Sequence, residues 1–323
     1  MQQGFFPDAN KIIKYQDSSN FWIFKAGKRV YKVKKLTENN SSIPLDELFC
    51  SELSRLTQTH SPELDLLQIE VKKDGDEYLI DLDGSIAAPV LYYGVSMNQL
   101  ADRYFLKKII EKGKVSDKIM KQIAEFLFRF HEATPSSTSK EDGTPEQLRA
   151  KIQNLYYQSK KHLGETISQP VIDMTLRPLE RFLEEHRKLL LRRIKKGCIK
   201  QVHGGFVPRK IHVSKEGVFA LGKTTEPLRD RFQDVVADMA DLVVELSYHE
   251  QKKFANSFVA KYSKMSGDRE IKQLLPFYQA IRCLTCGLNH SIAMESTTGA
   301  AAEEFRATAI KYYEQTVEAV RLF

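Results

Sequence analysis

Residues 203–212 read His-Gly-Gly-Phe-Val-Pro-Arg-Lys-Ile-His. The stretch carries adjacent glycines at Gly204 and Gly205 and contains no carboxylate. It is entered through a basic run, Arg187, Lys188, Arg192, Arg193, Lys195, Lys196 and Lys200. Leu189, Leu190, Leu191 and Ile194 interleave with these cations, as in an amphipathic helix with a solvated basic face. It leaves through short strand-like segments on both sides of Lys215-Glu216-Gly217. From about Asp230 the chain reads as helical to its end, with breaks at Ser266-Gly267 and at Ser296-Thr297-Thr298-Gly299. The stretch is therefore a loop between a helix and a β-hairpin inside a mainly helical region.

The first hundred residues are patterned differently. Residues 20–25 and 28–35 are strand-like and meet at a two-residue turn, Ala26-Gly27. Pro44 opens a helix with Leu45, Leu48, Phe49, Leu53 and Leu56 on one face. Residues 66–71 and 78–82 form a second hairpin across Lys73-Asp74-Gly75, and Asp83-Gly84 leads into a strand over about 86–95. The pattern predicts a small lobe over 1–98, of about five antiparallel strands plus one helix. A larger, mostly helical lobe over 99–323 follows. There, 102–112 ends at Gly113, and Ser116 caps a helix to about Glu132. A polar loop follows at 135–143, and Thr144-Pro145-Glu146 opens a new helix. A long helical stretch over 170–196 should break near Pro178. The fold class is α+β.

With 323 residues the chain suits one large two-lobed domain or two ordinary ones. No apolar run reaches the ~18–20 residues of a membrane helix. Met1 to Pro7 lack the basic start and apolar core of a signal peptide, so a cytoplasmic location is expected. The net charge of +7 permits contact with nucleic acid without showing it, and nucleic acid is not the expected partner. Cys283 and Cys286 form a C-x-x-C pair, but neither a βαβ pattern nor a second pair accompanies it. They read as buried thiols on a helix rather than as a redox or zinc site.

Three stretches carry a whole-length resemblance. Phe21 to Lys35 is a hairpin ending Tyr31-Lys32-Val33-Lys34-Lys35. Phe49-Cys50-Ser51-Glu52 with Arg55-Leu56 lies on the following helix. Gln201-Val202-His203-Gly204 is followed by Asp234 and Asp238-Met239-Ala240. Together they resemble a bacterial branch of the aminoglycoside phosphotransferase-like proteins, which implies the bilobal protein kinase-like fold. The family writes the loop as H-G-D-x-x-x-x-N. Here Gly205 stands at the Asp base and Lys210 at the metal-binding Asn, in a catalytic loop spanning 203–212. The metal strand matches 218–223, with Gly222 at the main magnesium-binding Asp. His203 matches a position that is architectural.

The resemblance also implies roles elsewhere. Lys32, in Val-x-Lys, falls where kinases place the lysine that holds α- and β-phosphates. Lys34 shares its face two residues on, and Glu52 is the natural partner from the helix. Ser18 and Ser19 lie in the turn that covers phosphates, although that turn has no glycine. A phosphotransferase needs a carboxylate to orient its nucleophile and hard oxygen ligands for magnesium. This chain supplies neither at the matching positions, so no catalytic residue is intact and no metal is expected. Two aspartates are lost while Lys210 and Lys223 are added, which turns a cation site toward an anion site. The reading is a pseudokinase: a binding, scaffold or regulatory module whose partner is another protein. An anionic small molecule, ATP or another nucleotide would bind without metal. The alternative is an ATP-dependent small-molecule phosphotransferase using displaced carboxylates such as Glu226 or Asp230. Members of the branch often carry a further nucleotide-binding domain, and no G-x-x-x-x-G-K-[ST] loop occurs in these 323 residues.

Overall fold

The computed structural model describes residues 5–7, 12–18, 21–35, 43–222 and 232–323. The chain divides into two compact units: Met1–Lys108 with Lys210–Thr225, and Ile109–Arg209 with Glu226–Phe323. Ser19, Lys223, Glu226 and Asp230 lie outside the described residues.

The first unit holds a six-stranded antiparallel sheet. Its strands are β1 (Ile12–Asp17), β2 (Phe21–Ala26), β3 (Arg29–Lys34), β4 (Leu67–Asp74), β5 (Glu77–Asp81) and β6 (Val90–Asn98), in the order β1-β2-β3-β6-β4-β5. The sheet has one more strand than the sequence pattern predicts. β1 was missed because Ile12 and Ile13 adjoin a polar run, so no clean alternation marks it. The turn between β2 and β3 is Gly27-Lys28, since Ala26 pairs with Arg29, and Gly27 takes φ +56°. β6 begins later than expected because the preceding residues wrap a buried carboxylate. Asp81 accepts the N–H groups of Asp83, Gly84 and Ile86, and Lys72 donates to both Asp81 (2.8 Å) and Ile86 O (2.7 Å).

Side chains alternate across this sheet and divide its core in two. Val30, Tyr93, Val95 and Met97 pack with Cys50 and Leu53 of α1 (Ile43–His60). On the opposite face, Phe24, Tyr31, Val33, Ile69, Val71 and Ile80 form a second cluster beneath Phe6.

Helices α2 (Leu106–Glu111), α3 (Asp117–Ala133), α4 (Pro145–Ser159), α5 (Gln169–Glu185) and α6 (Arg187–Lys195) follow. Ser116 Oγ accepts from Ile119 N and caps α3, and Thr144 Oγ1 accepts from Gln147 N and caps α4. Pro178 sits inside α5 without ending it. The break falls at His186, whose ring stacks on Phe182 and whose Nδ1 donates to the Phe182 carbonyl. β7 (Ile199–Gln201) precedes the loop. A hairpin of β8 (Ile211–Val213) and β9 (Val218–Ala220) belongs to the first unit, where Phe219 joins the cluster around α1. β10 (Phe232–Asp234) pairs with β7, and α7 (Val236–Tyr248), α8 (Lys252–Ser266), α9 (Ile271–Glu295) and α10 (Ala300–Val320) complete the second unit. α7 packs on α8 and α9, and α9 on α10. Cys283 and Cys286 are buried free thiols on α9, and burial pushes Cys286 up to about 12.

Candidate functional site

In the second unit the glycine loop is fixed by two carboxylates one helical turn apart on α7. Asp238 accepts the backbone N–H of His203 at 2.6 Å and of Gly204 at 2.8 Å, and Asp241 accepts that of Phe206 at 3.1 Å. Spacing of i and i+3 puts both on one helix face, so a single helix grips the loop at three amides. Asp238 is fully buried, and its second partner is His131 Nε2 at 3.1 Å. A carboxylate only accepts, which puts a proton on Nε2, and the Tyr262 hydroxyl lies 2.6 Å from Nδ1 on the other side of the ring. Burial pushes the Asp238 carboxyl up. The hydrogen bond and charge of His131, with His203 and the Gly204 N–H, overcome that and hold it below its ordinary value. Arg282 backs Asp241, with Nε 3.1 Å from Oδ1.

Within the grip, the His203 ring packs against Phe130 and Phe206, and Phe206 stacks on Phe126. Gly205 is buried between these anchors, and its carbonyl accepts from Val207 N at 2.9 Å. Its φ is +139°, a backbone conformation that L residues rarely adopt.

In the first unit, β8 and β9 bring Lys210 and Gly222 to the open end of one hairpin. Ile211 pairs with Ala220, and Leu221 N donates to Lys210 O at 2.9 Å. A Cβ at position 222 would stand 2.8 Å from Leu53 Cδ1, closer than carbon atoms approach without something moving. The space beside Gly222 is thus taken by an apolar side chain from α1.

On β3, Lys32 and Lys34 alternate with buried Tyr31 and Val33 and share the face of Val30, which packs toward α1. Their surroundings differ. Lys34 forms an ion pair with Asp46, a buried carboxylate in the first turn of α1 that the sequence reading did not single out. Glu52 takes the Arg55 guanidinium through both oxygens, at 2.8 and 2.7 Å. Among the described residues Lys32 has no hydrogen-bond or ion-pair partner, and burial lowers its pKa. Ser18 closes the turn between β1 and β2: its hydroxyl donates to Phe21 O (2.9 Å) and accepts from Phe21 N (3.2 Å).

The basic run before the loop is largely spent on carboxylates of the second unit. Arg187 pairs with Glu146, and Arg192 and Lys196 with Glu270. Arg193 is 1% exposed and holds Asp234 with two bonds of 2.7 Å. α6 therefore carries fewer unpaired cations than its sequence suggests.

No protein-family model matches the chain. Uncharacterised proteins of Mycobacterium tuberculosis and Mycobacterium bovis are 27% identical to it over 212 residues, 65% of this chain and 42% of theirs. The chain thus spans about two fifths of the length of these curated relatives. Among solved structures, a choline/ethanolamine kinase family protein from Mesorhizobium loti superposes with a TM-score of 0.56 at 13% identity, covering 100% of this chain and 97% of that one. Wild-type aminoglycoside 2'-phosphotransferase-IIIa, in its GDP complex, gives 0.53 at 12% identity over 97% and 95%. An ethanolamine kinase of Plasmodium vivax gives 0.52 at 11% identity over 93% and 81%. The chain has the aminoglycoside phosphotransferase-like kinase fold.

That kinase fold implies a magnesium-bound nucleotide, and the two residues at the matching positions, Lys210 and Gly222, do not fit the metal. Magnesium takes oxygen donors in near-octahedral geometry. Lys210 brings an ammonium, which has no acceptor atom, and Gly222 brings no side chain. Among the described residues, no three His, Cys, Asp or Glu side chains come together as a ligand set.

Proposed function

We propose that this kinase-fold chain is a pseudokinase: it lacks phosphotransferase chemistry and serves as a binding module for another protein, in a scaffold or regulatory role. The observation that carries the reading is Gly205. The residue at the expected base position has no side chain, and its backbone sits at φ +139°. The loop is therefore built around a glycine. Lys210 and Gly222 support the same reading, because a positioned base alone would not suffice without metal oxygens. Loss of the base costs about 10²–10⁴-fold in rate, and loss of the metal removes the main charge stabilisation as well.

A narrower part of the proposal concerns what the nucleotide position binds. Lys32 is a partly buried ammonium without a partner among the described residues. Phosphate oxygens are the partners such a group lacks, so an anion, a nucleotide included, would be held by lysine rather than through magnesium.

Two measurements test the proposal. The first is ATP turnover of the purified chain with magnesium or manganese. Turnover should stay at background, and magnesium-dependent turnover that Lys32→Met abolishes would overturn the pseudokinase reading. The second is calorimetry of ATP in magnesium and in EDTA. Binding should be at least as tight in EDTA and weakened by Lys32→Met, whereas no heat in either buffer sinks the anion reading alone.

A further inference from the structure

The sheet of the first unit has a cavity of about 440 Å³ on the face turned away from α1. Its lining includes Phe5, Tyr15, Trp22, Phe24, Tyr78 and Tyr92, together with two valines. Five of the six rings come from strands β1, β2, β5 and β6 and reach the same face by alternation. The volume lies in the range of small-molecule sites. Asp76, in the turn between β4 and β5, is the only charged residue in the lining among the described residues. It has no hydrogen-bond or ion-pair partner among them. The hairpin tip as a whole, Lys73-Asp74-Gly75-Asp76-Glu77, sets three carboxylates against one ammonium.

We infer that this cavity is a binding site for a small organic cation bearing a methylated ammonium group. Aromatic ring faces attract ammonium groups, and methylation lets such a group leave water at small cost. Two of these rings already accept ammonium groups from the chain itself. Lys35 Nζ lies 5.9 Å from the Trp22 ring centre and Lys73 Nζ 5.8 Å from that of Tyr78. Lys35 is held at the rim by an ion pair with Asp17, whereas Lys73 competes with a ligand for the Tyr78 face. Asp76 supplies the counter-charge. An anionic amphiphile would instead meet the carboxylates of the turn, and a purely apolar ligand would make no use of Asp76.

Trp22 is the only tryptophan of the chain, so intrinsic fluorescence reports on this cavity directly. The test titrates the intact protein with phenyltrimethylammonium and with its uncharged isostere tert-butylbenzene. The cation should give a saturable change in Trp22 emission, and the isostere should bind more weakly. Asp76→Asn should weaken the cation about two- to fivefold. Tyr92→Leu should do so by a similar factor through the lost ring. Lys73→Met should tighten it, because the competing ammonium is gone. Near-ultraviolet circular dichroism checks that each variant is folded, and Asp76 and Lys73 are exposed residues at the β4–β5 hairpin tip, away from the core. No saturable change overturns the inference. So does equal or tighter binding of the isostere, unchanged affinity in Asp76→Asn, or weaker binding in Lys73→Met.

Discussion

Replacing Gly205 with alanine measures how far the loop backbone depends on glycine at this position. Alanine adds no charge and one carbon, so the variant isolates the backbone. At φ +139° an L residue is strained by about 1–3 kcal/mol. The loop cannot relax freely, because the amides on both sides are held: Gly204 N by Asp238 and Phe206 N by Asp241. At about 2–4 °C per kcal/mol for a large domain, the melting temperature should fall by roughly 2–12 °C. Gly205→Asp should fall at least as far and should still give no magnesium-dependent ATP turnover, because Lys210 and Gly222 provide no metal oxygen. Differential scanning calorimetry with a coupled ATPase assay reads both. If Gly205→Ala melts within a degree of the parent, the backbone does not require glycine, and the argument from φ is refuted. If Gly205→Asp alone raises turnover about 10²-fold or more, the loss of the metal positions is refuted instead.

Two further substitutions probe the supports of the site. Asp238→Asn should destabilise the chain at pH 7 by about 3–5 kcal/mol, because the loop amides and His131 then face a weaker, partly donating group. Since the Asp238 pKa is depressed on folding, its contribution is fully present above the unfolded value of about 3.9 and fades as pH falls through the folded value. Urea unfolding should therefore show the gap between parent and variant narrowing in acid, and a gap that widens would count against the assignment. Gly222→Asp should destabilise through Leu53, whereas the same change in a Leu53→Ala background should cost less, a coupling readable by a double-mutant cycle. Simple additivity would show that Leu53 does not fill the position.

Much of the fold was legible because its signals are local. The caps at Ser116 and Thr144, the turn glycines and the change from alternating to helical periodicity each act within a few residues, and the structure places helices where they point. β1 was not legible, since an edge strand draws its order from pairing with β2 rather than from its own pattern. Pro178 misled because the residues around it carry α5 through the lost hydrogen bond. The substituted positions could be read from the loop by resemblance, but their surroundings could not. Asp46, the partner of Lys34, is one acid among many until α1 is packed against β3. The aromatic cavity draws on rings far apart in sequence that converge only once the strand order is known.

The three positions that the proposal reads as substituted sit in different physical surroundings. At Gly205 the backbone has taken a conformation open mainly to glycine. At Gly222 a core leucine occupies the space that a side chain would need. At Lys210 the side chain is a cation where the resemblance would place an oxygen donor. Two of these positions have neighbours with other work to do: Leu53 beside Gly222 packs in the core of the first unit, and Asp238 and Asp241 hold the loop amides around Gly205. Those two carboxylates stabilise the loop whether or not it catalyses anything, so the architecture does not depend on the chemistry. The loop's hold on α7 would therefore survive a loss of turnover, which is what the pseudokinase proposal needs of it.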